Sequence, residues 1–126
     1  MVICDTSVWI EYFRGKNPYF DSVSALLSRR EIIGLECVFG ELLQGVMEKR
    51  ERKVILECWD SLPKLSEAGL WLAAGEYAAI HRVSARGVGL VDAAIAVATL
   101  QTGSLLWTLD RTLAAVMPGR YWYWVK

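Results

Sequence analysis

Short apolar runs alternate with longer amphipathic segments along this chain. Residues 2–4 and 104–107 are apolar runs of strand length, whereas residues 37–49 repeat apolar side chains at the spacing of a helix face. Strands that alternate with helices predict a parallel sheet covered by helices on both faces. We therefore expect one three-layer α/β domain over residues 1–126, with a central, mostly parallel sheet.

The predicted elements follow from this periodicity and from the turn residues between segments. Strands are expected at residues 2–4, 32–35, 87–91, 104–107 and 121–125. Helices are expected at residues 6–13, 20–30, 37–49, 54–60, 67–85 and 92–101, with a short helix after Asp110. The helix at 67–85 is apolar on several sides, which predicts burial on two faces or use in an interface. The alanine-rich helix at 92–101 is apolar all round and is expected at the centre of the fold.

The amino-acid composition limits the kinds of partner that this chain can bind. Basic and acidic residues number 14 each, so a general basic coat for nucleic acid is excluded and only local patches and a metal remain. The 6 tryptophans are more than one small core can bury, which predicts an apolar surface for an oligomer or another partner.

The 3 cysteines lack C-x-x-C spacing and are expected to be free thiols in a reducing cytosol. The chain has no secretory leader and no apolar run of about 18 residues, so we expect a cytoplasmic protein without membrane contact.

Four acidic residues end or flank apolar runs, namely Asp5, Glu41, Asp92 and Asp110. Each aspartate follows a predicted strand, and parallel strands all end at the same edge of a sheet. Glu41 lies within a predicted helix, away from its apolar stripe, where Gly45 leaves room beside it. Four carboxylates in one crevice repel each other unless a cation lies between them. The pattern therefore predicts a metal site.

Each acid also has a simpler interpretation when it is taken alone. Asp5, Asp92 and Asp110 stand where predicted helices begin, a position typical of a helix N-cap. Glu41 alone is typical of a solvated surface glutamate. As a set, oxygen ligands without His or Cys suit Mg²⁺ or Mn²⁺ better than zinc, and these ions support phosphate-ester hydrolysis.

Five further residues are placed to assist such a site. Thr6, Ser7 and Thr108 can hydrogen-bond a carboxylate or a water on the metal. Arg86 precedes Asp92 in the chain and Arg111 follows Asp110, so both could contact phosphate or could equally be surface charges.

The order of these residues matches one family. The matching segments are Asp5-Thr6-Ser7 after an N-terminal strand, Glu41-Leu42-Leu43-Gln44-Gly45, Asp92 at the start of an alanine-rich helix, and Thr108-Leu109-Asp110 after a late strand. Together they resemble the PIN domain, specifically the short VapC-type toxin of bacterial and archaeal toxin–antitoxin pairs. The resemblance covers residues 2–125 and implies a PIN-like fold.

The resemblance implies a Mg²⁺- or Mn²⁺-dependent endoribonuclease that cuts tRNA or ribosomal RNA through a metal-activated water and so inhibits translation. Asp5, Glu41 and Asp92 would be the main catalytic carboxylates and metal ligands, with Asp110 as a fourth. The family also implies a homodimer, a cognate antitoxin that inserts a segment over the active site, and a larger assembly of the two. After the last acid, Arg111-Thr112-Leu113 departs from the acidic or polar residue and phenylalanine found in many relatives, which bears on a second metal.

Other classes of protein fit less well. A receiver domain needs an acidic pair near its first strand, and Asp5 has no acidic neighbour before Glu11. A haloacid-type phosphatase needs D-x-D, where Ser7 occupies the second acidic position. A triad built on His81 has little support, since this histidine falls on the apolar face of its helix. A binding module that keeps the fold without turnover remains the alternative.

One charged segment and one aromatic segment can each be interpreted in two ways. Residues 48–53 form either a solvated helix junction, with pairs such as Glu48 to Arg52, or a patch for RNA phosphate. Residues 121–124 alternate tyrosine and tryptophan, and they either stack on bases or supply core on one face of a strand and an interface on the other.

Overall fold

A parallel sheet forms the middle of the molecule in the computed structural model, which describes residues 1–125. The strands β1 (Val2–Cys4) and β2 (Leu105–Trp107) pair in parallel, with Cys4 opposite Trp107. Isolated parallel bridges add three more segments: Val2 to Ile32, Gly34 to Lys64, and Leu106 to Trp122. Five chain segments therefore run in the same direction and end at one common edge.

Seven α-helices are found within residues 1–125. They are α1 (Thr6–Phe13), α2 (Tyr19–Ser28), α3 (Glu36–Gln44), α4 (Lys49–Ser61), α5 (Leu70–His81), α6 (Leu90–Thr102) and α7 (Arg111–Ala115). Short 3-10 turns lie at Val83–Arg86 and Gly119–Tyr121.

Helices cover both faces of the sheet. All three residues of β1 are buried although successive side chains point to opposite faces, as expected of a parallel strand. On one face, Trp107 of β2 contacts Tyr19 of α2 with their ring centroids 6.1 Å apart. On the other face, the Trp122 indole donates a 2.9 Å hydrogen bond to the Ala114 carbonyl of α7. The predicted three-layer α/β fold is confirmed.

The two apolar helices behave differently. In α6 every residue from Ala93 to Thr99 is buried, which confirms its predicted central position. The neighbouring helix α5 buries Leu70 and Ala74 against α6 but leaves Leu72 79% and Ile80 74% exposed. An apolar helix with one open face is unusual in an isolated domain, so α5 presents the apolar surface that the tryptophan count predicted.

Several predicted boundaries are wrong. The strand expected at 87–91 does not form, because Gly87 has a φ of +82° and helix α6 already begins at Leu90. The helix expected at 67–85 is interrupted at both ends by left-handed residues, Gly69 before it and Arg82 after it, with φ values of +75° and +51°. Left-handed backbone cannot continue a right-handed helix.

Two other predicted elements also differ. The helix expected at 37–49 ends at Gln44, so the charged run at 48–53 begins helix α4, and its ion pair joins Lys53 to Glu57 at 4.0 Å. The strand expected at 121–125 is reduced to the bridge at Trp122, after a 3-10 turn.

Within residues 1–125, none of the helices combines the length and the hydropathy that a membrane span requires.

Candidate metal centre

Asp5 lies at the carboxyl end of β1, where the chain turns into α1. Its side chain is only 5% exposed, and both carboxylate oxygens accept hydrogen bonds. Oδ1 accepts from the Ser7 hydroxyl at 2.5 Å and from the Val8 amide at 3.3 Å. Oδ2 accepts from the Thr108 hydroxyl, which follows the neighbouring strand β2. Burial raises the pKa of Asp5 above its ordinary value, and these hydrogen bonds act in the opposite direction.

Hydrogen bonds also join the loops that follow the two strands. The Ser7 hydroxyl accepts from the Leu109 amide at 3.0 Å, and the Thr108 hydroxyl accepts from the Asp110 amide at 2.9 Å. Asp110 in turn accepts from the Thr112 amide at 2.9 Å and so caps the short helix α7. Two of the three predicted supporting polar residues, Ser7 and Thr108, therefore belong to one network around Asp5.

Glu41 reaches the same region from helix α3. Its carboxylate accepts a 2.7 Å hydrogen bond from the hydroxyl of Thr6, the residue next to Asp5. Glu41 is exposed and borders an open cleft of about 500 Å³ between α1, α3 and α4. Gly45 borders this cleft as well, in agreement with the space expected beside Glu41.

Asp92 connects the four acids electrostatically. It is half-buried in the first turn of α6. Burial raises its pKa above the ordinary value, and the negative charges of Asp110, Asp5 and Glu41 raise it further. The fold therefore brings Asp5, Glu41 and Asp110 within range of the Asp92 carboxylate.

The helix-cap interpretation holds for two of the three aspartates. Asp5 caps α1 through the Val8 amide, and Asp110 caps α7. Asp92 is not a cap, since Gly89 takes that position and Asp92 lies inside the helix. Capping engages Oδ1 of Asp110 and leaves Oδ2 without a protein donor among the described hydrogen bonds. A structural cap and a role in the cluster are therefore compatible for these residues.

The donor set fits a hard divalent cation, since every candidate atom is a carboxylate or hydroxyl oxygen. The raised pKa of Asp92 records a repulsion among the acids that a cation would relieve. Across residues 1–125, no group of three or more His, Cys, Asp or Glu side chains already has the spacing of a metal shell. The acids thus share a locality without forming a closed coordination site.

The arginines around the cluster differ in their surroundings. Arg86 donates a 2.8 Å hydrogen bond to the Ala115 carbonyl at the end of α7, so it has a structural partner. Arg111 is the exposed first residue of α7. Sequence reasoning missed Arg14, which borders the cleft beside Glu41 together with Arg50. Arg14 directly follows α1 and pairs with Glu11 of that helix at 3.3 Å.

His81 lies apart from this network. Its ring contacts Tyr77 one turn earlier in α5, with the ring centroids 4.3 Å apart. His81 is itself exposed.

Comparison with protein families supplies the last observation. The model of the PIN domain family matches residues 2–117, a segment that holds all four acids. The chain belongs to the PIN domain family. PIN domains are generally nucleases that depend on divalent metal ions, and the family includes VapC toxins along with other nucleases. Comparison with curated proteins finds no match to this chain.

Proposed function

We propose that this PIN domain protein is a Mg²⁺- or Mn²⁺-dependent endoribonuclease, the toxin of a toxin–antitoxin pair. It would hydrolyse phosphodiester bonds of tRNA or ribosomal RNA in the cytoplasm and so inhibit translation. The observation that carries the proposal is the charge coupling of Asp92 to Asp5, Glu41 and Asp110, within a family of metal-dependent nucleases.

Each residue of the cluster has a role in this proposal. Asp5, Glu41 and Asp92 would hold the cation, and Asp110 would support them from the start of α7. When bound, the divalent cation supplies Lewis acidity, which activates a water and neutralises charge on the phosphate. Thr108 and Ser7 keep the Asp5 carboxylate oriented through their hydrogen bonds, and Thr6 does the same for Glu41. Arg111, and the free part of the Arg86 guanidinium, contact RNA phosphate.

The first test is cleavage of RNA by the purified protein with Mg²⁺ or Mn²⁺, followed by sequencing of the RNA ends. Attack by water predicts ends with 5′-phosphate and 3′-hydroxyl. We expect Asp5→Asn and Asp92→Asn to lower the rate by about 100-fold or more while circular dichroism stays unchanged.

Asp60→Asn is the matched control, since Asp60 is an exposed aspartate at the far end of α4 and is expected to keep full activity. Products ending in 2′,3′-cyclic phosphate would contradict the mechanism, because they report attack by the 2′-hydroxyl of the RNA. An undiminished rate in either cluster variant would remove that residue from the site.

Two protein partners form part of the proposal. An antitoxin segment would enter the cleft beside Glu41, where the exposed apolar side chains of Ile10 and Val54 favour a partly apolar peptide. A homodimer would cover the open face of α5, and dimers would assemble with antitoxin into a larger complex.

A binding module without turnover is the second candidate. The acids of residues 1–125 share a locality without the spacing of a preformed metal shell, an arrangement that is also compatible with binding alone. A metal titration run beside the cleavage assay separates the two, because a binding module takes up metal or RNA without producing fragments.

A further inference from the structure

The segment after the Gly119–Tyr121 turn runs along the outer side of β2. Trp122 bridges Leu106 in parallel, and the Tyr123 amide donates a 2.8 Å hydrogen bond to the Leu106 carbonyl. The segment therefore points in the same direction as β2, toward the edge of the sheet where Asp5 and Thr108 lie.

The bridge relates Trp124 to Thr108 by position, since both residues lie two positions beyond the paired residues Trp122 and Leu106. Side chains two positions apart along an extended segment point to the same face, so Trp124 shares the face of Trp122, and Thr108 that of Leu106. The segment therefore carries an aromatic ring toward the edge of the sheet that holds the acidic cluster.

Of the two tryptophans in this segment, Trp122 is anchored and Trp124 is exposed. Trp122 is half-buried and fixed by its hydrogen bond to Ala114. Trp124 contacts the Trp122 ring edge to face, with the centroids 5.8 Å apart and the planes at 68°, and is itself 68% exposed. Tyr123 turns to the opposite face and packs on Trp107, so it supplies core. Trp124 is therefore the exposed aromatic residue of this segment, and its ring is supported by the contact with Trp122.

We infer that Trp124, supported by Trp122, is a stacking site for an unpaired RNA base next to the acidic cluster; this rests on the proposed function. Every base has an aromatic face that stacks on tryptophan, so such a site accepts any of the four bases. The exposed Arg120 lies just before the segment, with its guanidinium 4.9 Å from the centre of the Tyr121 ring, and can meet a phosphate beside the base.

The inference is tested by comparing Trp124→Ala with Trp124→Phe, which keeps a stacking ring. The matched control is Trp71→Ala, because Trp71 is also partly exposed but lies in the first turn of α5. Binding of a fluorescein-labelled oligouridylate is measured by anisotropy in the Asp92→Asn background with Mg²⁺ present. KM and kcat for cleavage are measured in the otherwise unchanged protein.

We expect Trp124→Ala to raise Kd and KM by about tenfold with little change in kcat, whereas Trp124→Phe and Trp71→Ala stay near the parent. Quenching of tryptophan fluorescence by the oligouridylate should fall in Trp124→Phe although its affinity is kept. A purely structural tryptophan would not produce that separation.

Equal Kd for Trp124→Ala and the parent, or no measurable binding by the parent, overturns the inference. A shift of oligomeric state in Trp124→Ala without a change in Kd also overturns it and assigns the ring to a protein interface. If Trp124 governs RNA affinity but the unchanged protein cuts no RNA, the stacking site stands and the proposed nuclease function fails.

Discussion

At the scale of the residue, Asp5 and Asp92 both lie in surroundings that disfavour the charged form of their carboxylates. Both carboxylates have a pKa raised first by burial, and Asp92 also lies near three other negative charges. Hydrogen bonds from Ser7 and Thr108 partly offset this at Asp5, whereas no such donor contributes at Asp92. The fold therefore keeps the charged forms at a cost to stability, which is typical of residues selected for a site and not for folding.

The raised pKa of Asp92 predicts how the stability of the metal-free protein depends on pH. Since the folded pKa exceeds the unfolded value, the folded state binds more protons between the two, and stability falls as pH rises through the folded pKa. We expect Asp92→Asn to have a higher free energy of unfolding than the parent at about pH 7, and the difference to vanish below about pH 4.

Urea unfolding in EDTA across this range measures the effect. Added Mg²⁺ should reverse the order at neutral pH, because only the parent keeps the full set of carboxylates. A stability difference that is independent of pH would show that the electrostatic surroundings of Asp92 are not the cause.

At the scale of the element, the segment at 32–34 determines how α4 packs. Gly34 bridges Lys64, and a β-carbon at this position would lie 2.9 Å from the Trp59 ring and 3.0 Å from the Leu62 side chain. Trp59 in turn contacts Phe39 of α3, with the ring centroids 5.1 Å apart. The absence of a side chain at Gly34 is thus what allows α4 to lie against this edge of the sheet.

We expect Gly34→Ala to lower the free energy of unfolding by about 1–3 kcal/mol, because the methyl group displaces a half-buried tryptophan. Gly40→Ala is the matched control: a β-carbon there meets nothing within 4 Å, and Gly40 lies inside helix α3. That control should gain about 0.5–1 kcal/mol from helix propensity. Equal urea midpoints for the two variants would contradict the packing argument.

At the scale of the whole molecule, the surface divides into regions of different character. Asp5 lies at the carboxyl edge of the sheet, the segment that carries Trp124 runs toward that edge, and the cleft beside Glu41 opens between α1, α3 and α4. The open face of α5 carries Leu72 and Ile80. Since this helix is apolar on several sides, its exposed face is the one we propose a second copy of the chain to cover.

We expect the parent to sediment as a dimer and the double variant Leu72→Glu with Ile80→Glu to sediment as a monomer, because two buried charges oppose the interface. Met47→Glu is the control, since Met47 is 92% exposed in the loop between α3 and α4. A double variant that remains dimeric would place the interface elsewhere, and a monomeric parent would contradict the proposed homodimer.

Much of the candidate site was predictable because its signals are local. Asp5 and Asp110 each cap the helix that follows, and a cap involves only residues two or three positions away. The bounds of β1 and α1 were predicted correctly for the same reason. Residues 87–91 were assigned to a strand in error because Val88 and Val91 favour strands, while the helix that includes Leu90 is stabilised by burial against α5. Local preference cannot report such tertiary packing.

The sequence alone determined the α/β alternation, the order of the four acids and the chemistry of their oxygen donors. Tertiary structure decided which of these groups meet: Thr108 reaches Asp5, Thr6 reaches Glu41, and Asp92 enters the cluster from inside a helix. It also decided that Tyr123 packs on Trp107 while Trp124 stays exposed, through the bridge at Trp122. The reason is physical, since periodicity and caps depend on neighbours in the chain, whereas register depends on pairing between segments that are distant in sequence.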